Sequence, residues 1–185
     1  MSESVLVPKS AFFTKGMGKH HNRLESFEAA LRDAGIEKYN LVRVSSIFPP
    51  HCKVVSAKRG IAALQPGQIV HLVLAEASTN EPSRLVGAGV GLAQPTEGHQ
   101  YGYISEHHGY GITQGRLADL VEDMAAAMLA TTLGIEFDAA TGYDKRKEVY
   151  RMSGKIVSTR ACVQTAEGDK NGLWTTVIAA AVFMP

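Results

Sequence analysis

Residues 39–50 read YNLVRVSSIFPP. The apolar and β-branched residues from Leu41 to Phe48 predict a strand, and Pro49-Pro50 stops it, because proline offers no amide hydrogen to a sheet ladder. Ser45 and Ser46 are two small hydroxyl residues inside that otherwise apolar run. Asn40 stands just before it and reads as a turn residue.

Downstream, Ser56 to Leu64 suits a short helix stopped by Pro66-Gly67. Strands are predicted over Gln68–Ala77, Arg84–Ala93 and Gln100–His107, with a turn at Glu81–Ser83. A long helix follows over Gly115–Leu133. There Leu117, Leu120, Val121, Met124, Met128 and Thr131 recur at helical spacing, and Gly134 closes the pattern. Lys155–Thr165 and Leu173–Met184 read as the last two strands. Upstream, a helix is predicted over Arg23–Ala34, with Asn22 as N-cap, Glu25 placed for a capping box and Gly35 as the stop. Its apolar stripe is Leu24, Phe27, Leu31 and Ala34. Ser4–Pro8 reads as a short strand, and the glycine-rich, basic stretch Thr14–His21 as a loop. Antiparallel-style runs of strands broken by two or three helices predict an α+β fold rather than a doubly wound sheet.

A chain of 185 residues suits a single domain that buries an adequate core without metal or disulfide staples. Apolar residues at 45% and charged residues at 20% are ordinary globular values and exclude disorder. Lys plus Arg number 19 against 18 Asp plus Glu, so no basic excess points to nucleic acid. The longest apolar run, Val177 to Met184, falls far short of the roughly 20 residues that span a bilayer, so no membrane partner is expected. Two cysteines, Cys52 and Cys162, are too few for a disulfide framework, and no signal-peptide pattern opens the chain; a cytoplasmic protein is expected.

Two carboxylates are out of place. Glu28 falls on the apolar stripe of the first helix, four residues after Leu24 and three before Leu31. Glu106 shares a strand face with Ile104 by the period-two rule. A carboxylate facing inward costs free energy unless it is paired or lies in a cleft, and in an apolar cleft it holds its proton to higher pH. The bland reading of each is a solvated side chain at an edge. Other motifs dissolve on inspection. Gly87, Gly89 and Gly91 lack the helix that a dinucleotide loop requires, and read instead as positions of close backbone packing. His20-His21 and His107-His108 are adjacent pairs without metal-ligand spacing, so no metal is expected.

The combination is more specific than its parts. FFTKGMG at 12–18, LESFEAALRDAGI at 24–36, YNLVRVSSIFPP at 39–50 and YISEHHG at 103–109 together resemble the pyruvoyl-dependent arginine decarboxylases, in order and over nearly the whole chain. The resemblance implies a four-layer αββα sandwich of mostly antiparallel sheets. It implies self-cleavage between Ser45 and Ser46 into a β chain, 1–45, and an α chain, 46–185, with Ser46 becoming a covalent pyruvoyl cofactor. That ketone takes up the substrate α-amine as a Schiff base and acts as electron sink. By the same resemblance Glu106 is the proton donor and Asn40 orients the carbonyl chemistry. Glu28 meets the substrate guanidinium, with Leu24 and Leu31 against its methylenes. The expected substrate is L-arginine, giving agmatine and CO2 for polyamine synthesis or acid resistance. The expected assembly is a homotrimer, or a pair of trimers, with active sites between subunits. The rival readings are the same cofactor with another amino acid, such as histidine, and a catalytically silent assembly subunit.

Overall fold

The computed structural model describes residues 6–136, 138, 140–141 and 143–185. The chain runs β1 (Ser10–His20), α1 (Arg23–Asp33), β2 (Asn40–Arg43), β3 (Ile47–Phe48), β4 (Lys53–Val55), α2 (Ala57–Ala63), β5 (Ile69–Thr79), β6 (Leu85–Pro95), β7 (Gly102–Tyr110), α3 (Gln114–Thr132), α4 (Tyr143–Met152), β8 (Ile156–Glu167) and β9 (Trp174–Met184). The strands form a five-stranded sheet in the order β2-β5-β9-β1-β4 and a four-stranded sheet in the order β3-β7-β6-β8. Only the β2–β5 and β1–β4 contacts are parallel. This is the expected α+β fold with mostly antiparallel sheets.

Alternation along the strands explains the layers. Val73, Ala75 and Ala77 of β5 and Val177, Ala179 and Ala181 of β9 meet Val86, Ala88, Val90 and Leu92 of β6 and Ile104 of β7 in one buried cluster between the sheets. The alternate residues of the first sheet, among them Phe12, Leu72, Leu74, Ile178 and Val182, pack with Ala30, Leu31 and Ala34 of α1. The outer face of the second sheet packs on Leu117, Val121 and Leu129 of α3. The order is therefore helix, sheet, sheet, helix. Among the described residues no helix is long and apolar enough to cross a membrane.

The two long helices approach their sheets closely because strand glycines admit them. A methyl group on Gly18 would collide with the Ser26 carbonyl and the Ala30 amide of α1, and one on Gly91 with the Val121 carbonyl of α3. The small residues of α1 thus turn inward. Ser26, Ala30 and Leu31 are buried, whereas Leu24 is 72% exposed, so the helix's inward face is rotated from the predicted stripe.

The structure differs from the sequence expectations in four further places. Thr14–His21 is mostly strand, not loop, because its glycines serve helix docking rather than flexibility. Leu41–Phe48 is two short strands, in different sheets. Of the expected strand at Ser4–Pro8, residues 4 and 5 lie outside the described residues and 6–8 carry no strand. The short β4 and the polar α4 had no clear periodic signal. Capping of α1 also differs in detail. The Asn22 side chain accepts from the Leu24 amide as expected, but Glu25 pairs with His20 instead of reaching back to the Asn22 amide.

Cys52 and Cys162 are free thiols. Burial pushes the Cys52 thiol up to about 11. Its neutral form stabilises the fold fully below the unfolded value of 9.0, and that contribution is lost as pH rises through the folded value. Denaturant stability is expected to fall more steeply between pH 9 and 11 in the parent than in Cys52→Ala; equal slopes would refute this assignment. The helix-docking account gives a second test. Gly18→Ala is expected to cost about 1–3 kcal/mol from overpacking. Gly115→Ala, near the start of α3 with nothing within 4 Å of the added carbon, is expected to be neutral or stabilising. Calorimetry on the two variants separates them.

Candidate active site

The serine pair sits where the chain changes sheets. β2 is the outermost strand of one sheet and β3 of the other. The Val44 amide donates to the Leu72 carbonyl at 3.0 Å, the last rung beside β5. The Ser46 carbonyl accepts from the Ile104 amide at 2.7 Å, the first rung beside β7. Facing sheets lie roughly 10 Å apart, so the chain leaves the ladder after Val44 to cross that gap, and it bends at Ser46. Among the described residues no backbone hydrogen bond engages the Ser45 carbonyl or the Ser46 amide. Ser45 is exposed and Ser46 half-buried. The peptide between them therefore has no ladder partner to lose when it distorts. The Ser46 hydroxyl is one carbon away on the following residue, so attack on the Ser45 carbonyl closes a five-membered ring.

Glu106 lies close by along the second sheet. It sits on β7, opposite buried Val90 of β6, and two residues beyond Ile104, a step of roughly 7 Å along the strand. Ile104 points into the core between the sheets, while neighbouring Ser105 points the other way and donates to the Val121 carbonyl of α3. The period-two expectation for this face therefore holds. β3 is so short that β7 runs on past it, and Glu106 is left exposed on that open flank.

The remaining candidates are not brought to this point within one chain. Asn40 opens β2, and its Nδ2 donates to the Gly67 carbonyl at 2.7 Å. Glu28 is exposed on α1, on the outer side of the first sheet, where it pairs with the Arg32 guanidinium one turn away. Leu24 lies beside it on the surface. Leu31 is 9% exposed and belongs to the core beneath α1. A cavity of about 530 Å³, lined among others by Lys9, Lys53, Arg59, Leu64 and Met184, contains none of the candidate residues. Among the described residues no group of three or more His, Cys, Asp or Glu side chains is arranged to hold a metal.

Two features escaped the sequence reading. Val42, Val44, Ile47 and Ile69 are exposed apolar residues around the sheet change. Such grouping marks an interaction surface more often than chance exposure. Its sequence signal was an apolar run on both faces of a strand that proved to lie at an edge. The other is an ion pair of Arg43 Nη2 with Glu76 Oε2 at 2.7 Å, immediately before the serines, for which the sequence carries no spacing signal.

Residues 10–185 match the family model described as pyruvoyl-dependent arginine decarboxylase. The chain is 59% identical to a probable pyruvoyl-dependent arginine decarboxylase of Chloroherpeton thalassium, over 97% of this chain and 98% of that protein. It is 56% identical to pyruvoyl-dependent arginine decarboxylase 2 of Methanosarcina mazei, again over 97% and 98%. With the pyruvoyl-dependent arginine decarboxylase of Methanococcoides burtonii it shares 53% identity over 97% and 99%.

The placement of the two leucines separates structure from surface. Leu31→Ala is expected to cost about 2–5 kcal/mol, as for a buried leucine. Leu24→Ala is expected to stay within about 0.5 kcal/mol of the parent. Chemical denaturation of both variants checks this.

Proposed function

Because the chain belongs to the pyruvoyl-dependent arginine decarboxylase family, we propose that it cuts itself between Ser45 and Ser46 and then converts L-arginine to agmatine and CO2. The observation that carries the residue assignment is the Ser45–Ser46 peptide, free of ladder hydrogen bonds at the sheet change and on the same flank as Glu106.

The Ser46 Oγ attacks the Ser45 carbonyl carbon, and the peptide C–N bond breaks to leave an ester and a free amine on residue 46. Loss of the residue 46 α-proton then expels the Ser45 carboxylate from its β-carbon. The dehydroalanine left behind tautomerises, takes up water and releases ammonia. The cleaved protein thus consists of residues 1–45 and 46–185, the second beginning with an α-keto acyl group. That group supplies the electron sink for loss of the substrate carboxyl. A short hydroxyl residue without backbone anchors on its amide side suits such a conversion.

The other side chains bind and deliver. Glu28 receives the substrate guanidinium as a carboxylate–guanidinium pair. It already accepts from the guanidinium of Arg32, in an exposed one-turn pair worth only about 0.3–0.5 kcal/mol, so exchange with substrate costs little. Leu24 offers an exposed apolar surface beside it, and Leu31 its outer edge. Glu106 holds the proton for the substrate α-carbon. Asn40 contributes its amide to orient the reacting carbonyl.

Glu28 and Asn40 stand apart from Ser46 and Glu106 within one chain, which supports a site completed by a second copy. The apolar group Val42, Val44, Ile47 and Ile69 beside the serines supports the same arrangement, in a trimer or a pair of trimers. Two unpaired thiols support action in a reducing cytoplasm.

Purified, fully cleaved protein given L-arginine is expected to yield agmatine in preference to the amines of histidine, ornithine or lysine. Absence of agmatine would reject the proposal. Intact mass spectrometry is expected to show fragments of 45 and 185 − 45 = 140 residues, and a single unbroken chain for Ser46→Ala. Glu106→Gln is expected to cleave yet turn over about 10²–10⁴-fold more slowly, the usual worth of a positioned acid.

A further inference from the structure

We infer that the Arg43–Glu76 ion pair is a positioning device that drives the chain off the first sheet and thereby sets the rate of cleavage; this rests on the self-cleavage proposed above. β2 and β5 run parallel, with Asn40 beside Ile69 and Arg43 beside Leu72. Continued in that register, β2 would lay Ser45 beside Leu74, Ser46 beside Ala75 and Ile47 beside Glu76. The serines would then be ordinary rungs of the first sheet, with their amide and carbonyl groups tied into a ladder.

The chain does not take that path. After the Val44 amide bonds to the Leu72 carbonyl, the next rung is the Ser46 carbonyl on Ile104 of the other sheet. Arg43 instead sends its side chain forward along β5. It meets Glu76 at 2.7 Å, four residues beyond its own register partner. Arg43 shares the face of its neighbour Leu72, and Glu76 that of Leu72 and Leu74, the α1 side of the sheet, so the guanidinium lies over the stretch of β5 beside which a straight continuation of β2 would run. The Glu76 side chain is only 25% exposed, so it depends on this partner more than a fully solvated carboxylate does. Pairing of residues 45–47 with β5 would set the Ile47 side chain beside Glu76 on that same face, in the space the guanidinium holds, so the bridge disfavours that pairing. This is negative selection of register at a sheet edge. The pair is separated in role from Glu106 and Asn40. It touches no reacting atom and acts through the placement of the scissile peptide.

The test is a cleavage time course on the full-length chain, freshly synthesised, read by intact mass. Hydroxylamine is added to a parallel sample to trap the Ser45–Ser46 ester. Glu76→Gln and Arg43→Met are each expected to slow appearance of the 46–185 fragment roughly fivefold or more, and to lower the hydroxylamine-sensitive fraction in proportion. The double exchange Arg43→Glu with Glu76→Arg is expected to restore most of the rate. Glu81→Gln, which removes the comparable exposed pair with Arg84, is expected to leave it unchanged. Glu76→Gln keeps the side-chain shape, and its thermal midpoint is expected to stay near that of the parent. Variants that cleave at the parent's rate overturn the positioning role alone. A slowing that merely tracks loss of thermal stability, or that Glu81→Gln reproduces, also overturns it. A parent chain that never cleaves overturns the self-cleavage reading and this inference together.

Discussion

The passage of Val44–Ser46 from the edge of one sheet to the edge of the other is the constraint around which the rest of the molecule is arranged. Two facing sheets cannot be bridged by so few residues unless the backbone gives up its lateral partners. A backbone amide or carbonyl buried without a partner costs free energy, so the passage belongs on an open flank, and there it lies. The cores on either side hold its two ends. β2 is fixed by its rungs on β5, and β3 by Phe48, 2% exposed, in the cluster between the sheets. The Ser45–Ser46 peptide is thereby unanchored between two fixed ends. The same architecture keeps the proposed pieces together after cleavage. β1, which belongs to residues 1–45, is paired along all of its length with β9 and at its start with β4, both from 46–185. The cut opens a loop between sheets, not the core.

Close packing of helix on sheet decides which side chains remain available. Gly16 and Gly18 let the backbone of α1 settle onto β1, and the helix residues facing those two glycines, Ser26, Ala30 and Ala34, are small. The Ser26 hydroxyl is accommodated by a buried hydrogen bond with Thr176, which in turn bonds Ser78. The helix is thereby rotated so that Leu24 and Glu28 face out. On the proposed reading, this apolar side chain and carboxylate at neighbouring surface positions suit a ligand with a methylene stem and a guanidinium head.

The legibility of this molecule followed the range of the forces involved. The long strands β5, β6, β8 and β9 and the helices α1 and α3 were readable, because alternation, helical spacing and end signals are local. So was the partition of Glu106 with Ile104 on one face of β7, a two-residue matter. The break between β2 and β3 was not readable. Leu41–Phe48 has continuous strand character, and the sheet each half joins is decided by Leu72 and Ile104, distant in sequence. Of the expected inward stripe of α1, Phe27, Leu31 and Ala34 do pack on the sheet, and Leu24 does not, for a related reason. Hydrophobicity pointed to Leu24, while the actual determinant was a pair of glycines on another strand. Glu28 was singled out because its line looked apolar, yet that line is the exposed margin of the helix. The residue assignment for the site came from the whole ordered set of motifs and not from any carboxylate alone.

The division of the candidate site has a physical consequence. The proposed cleavage needs only Ser45, Ser46 and a distortable peptide, all of which one chain supplies at an open flank. Holding a proton on a carboxyl for delivery to carbon needs protection from water, and a single chain leaves Glu106 exposed. The carboxylate proposed to bind the guanidinium, Glu28, is held by α1 on the far side of the first sheet. On the proposed reading these last two requirements are met together when the apolar flank at Val42, Val44, Ile47 and Ile69 is covered by a second copy. Covering it removes water from Glu106 and brings in a binding carboxylate from elsewhere in the fold. Making the cofactor and using it would then be separated by an association step, with the chemistry of carbon confined to the assembled, cleaved protein.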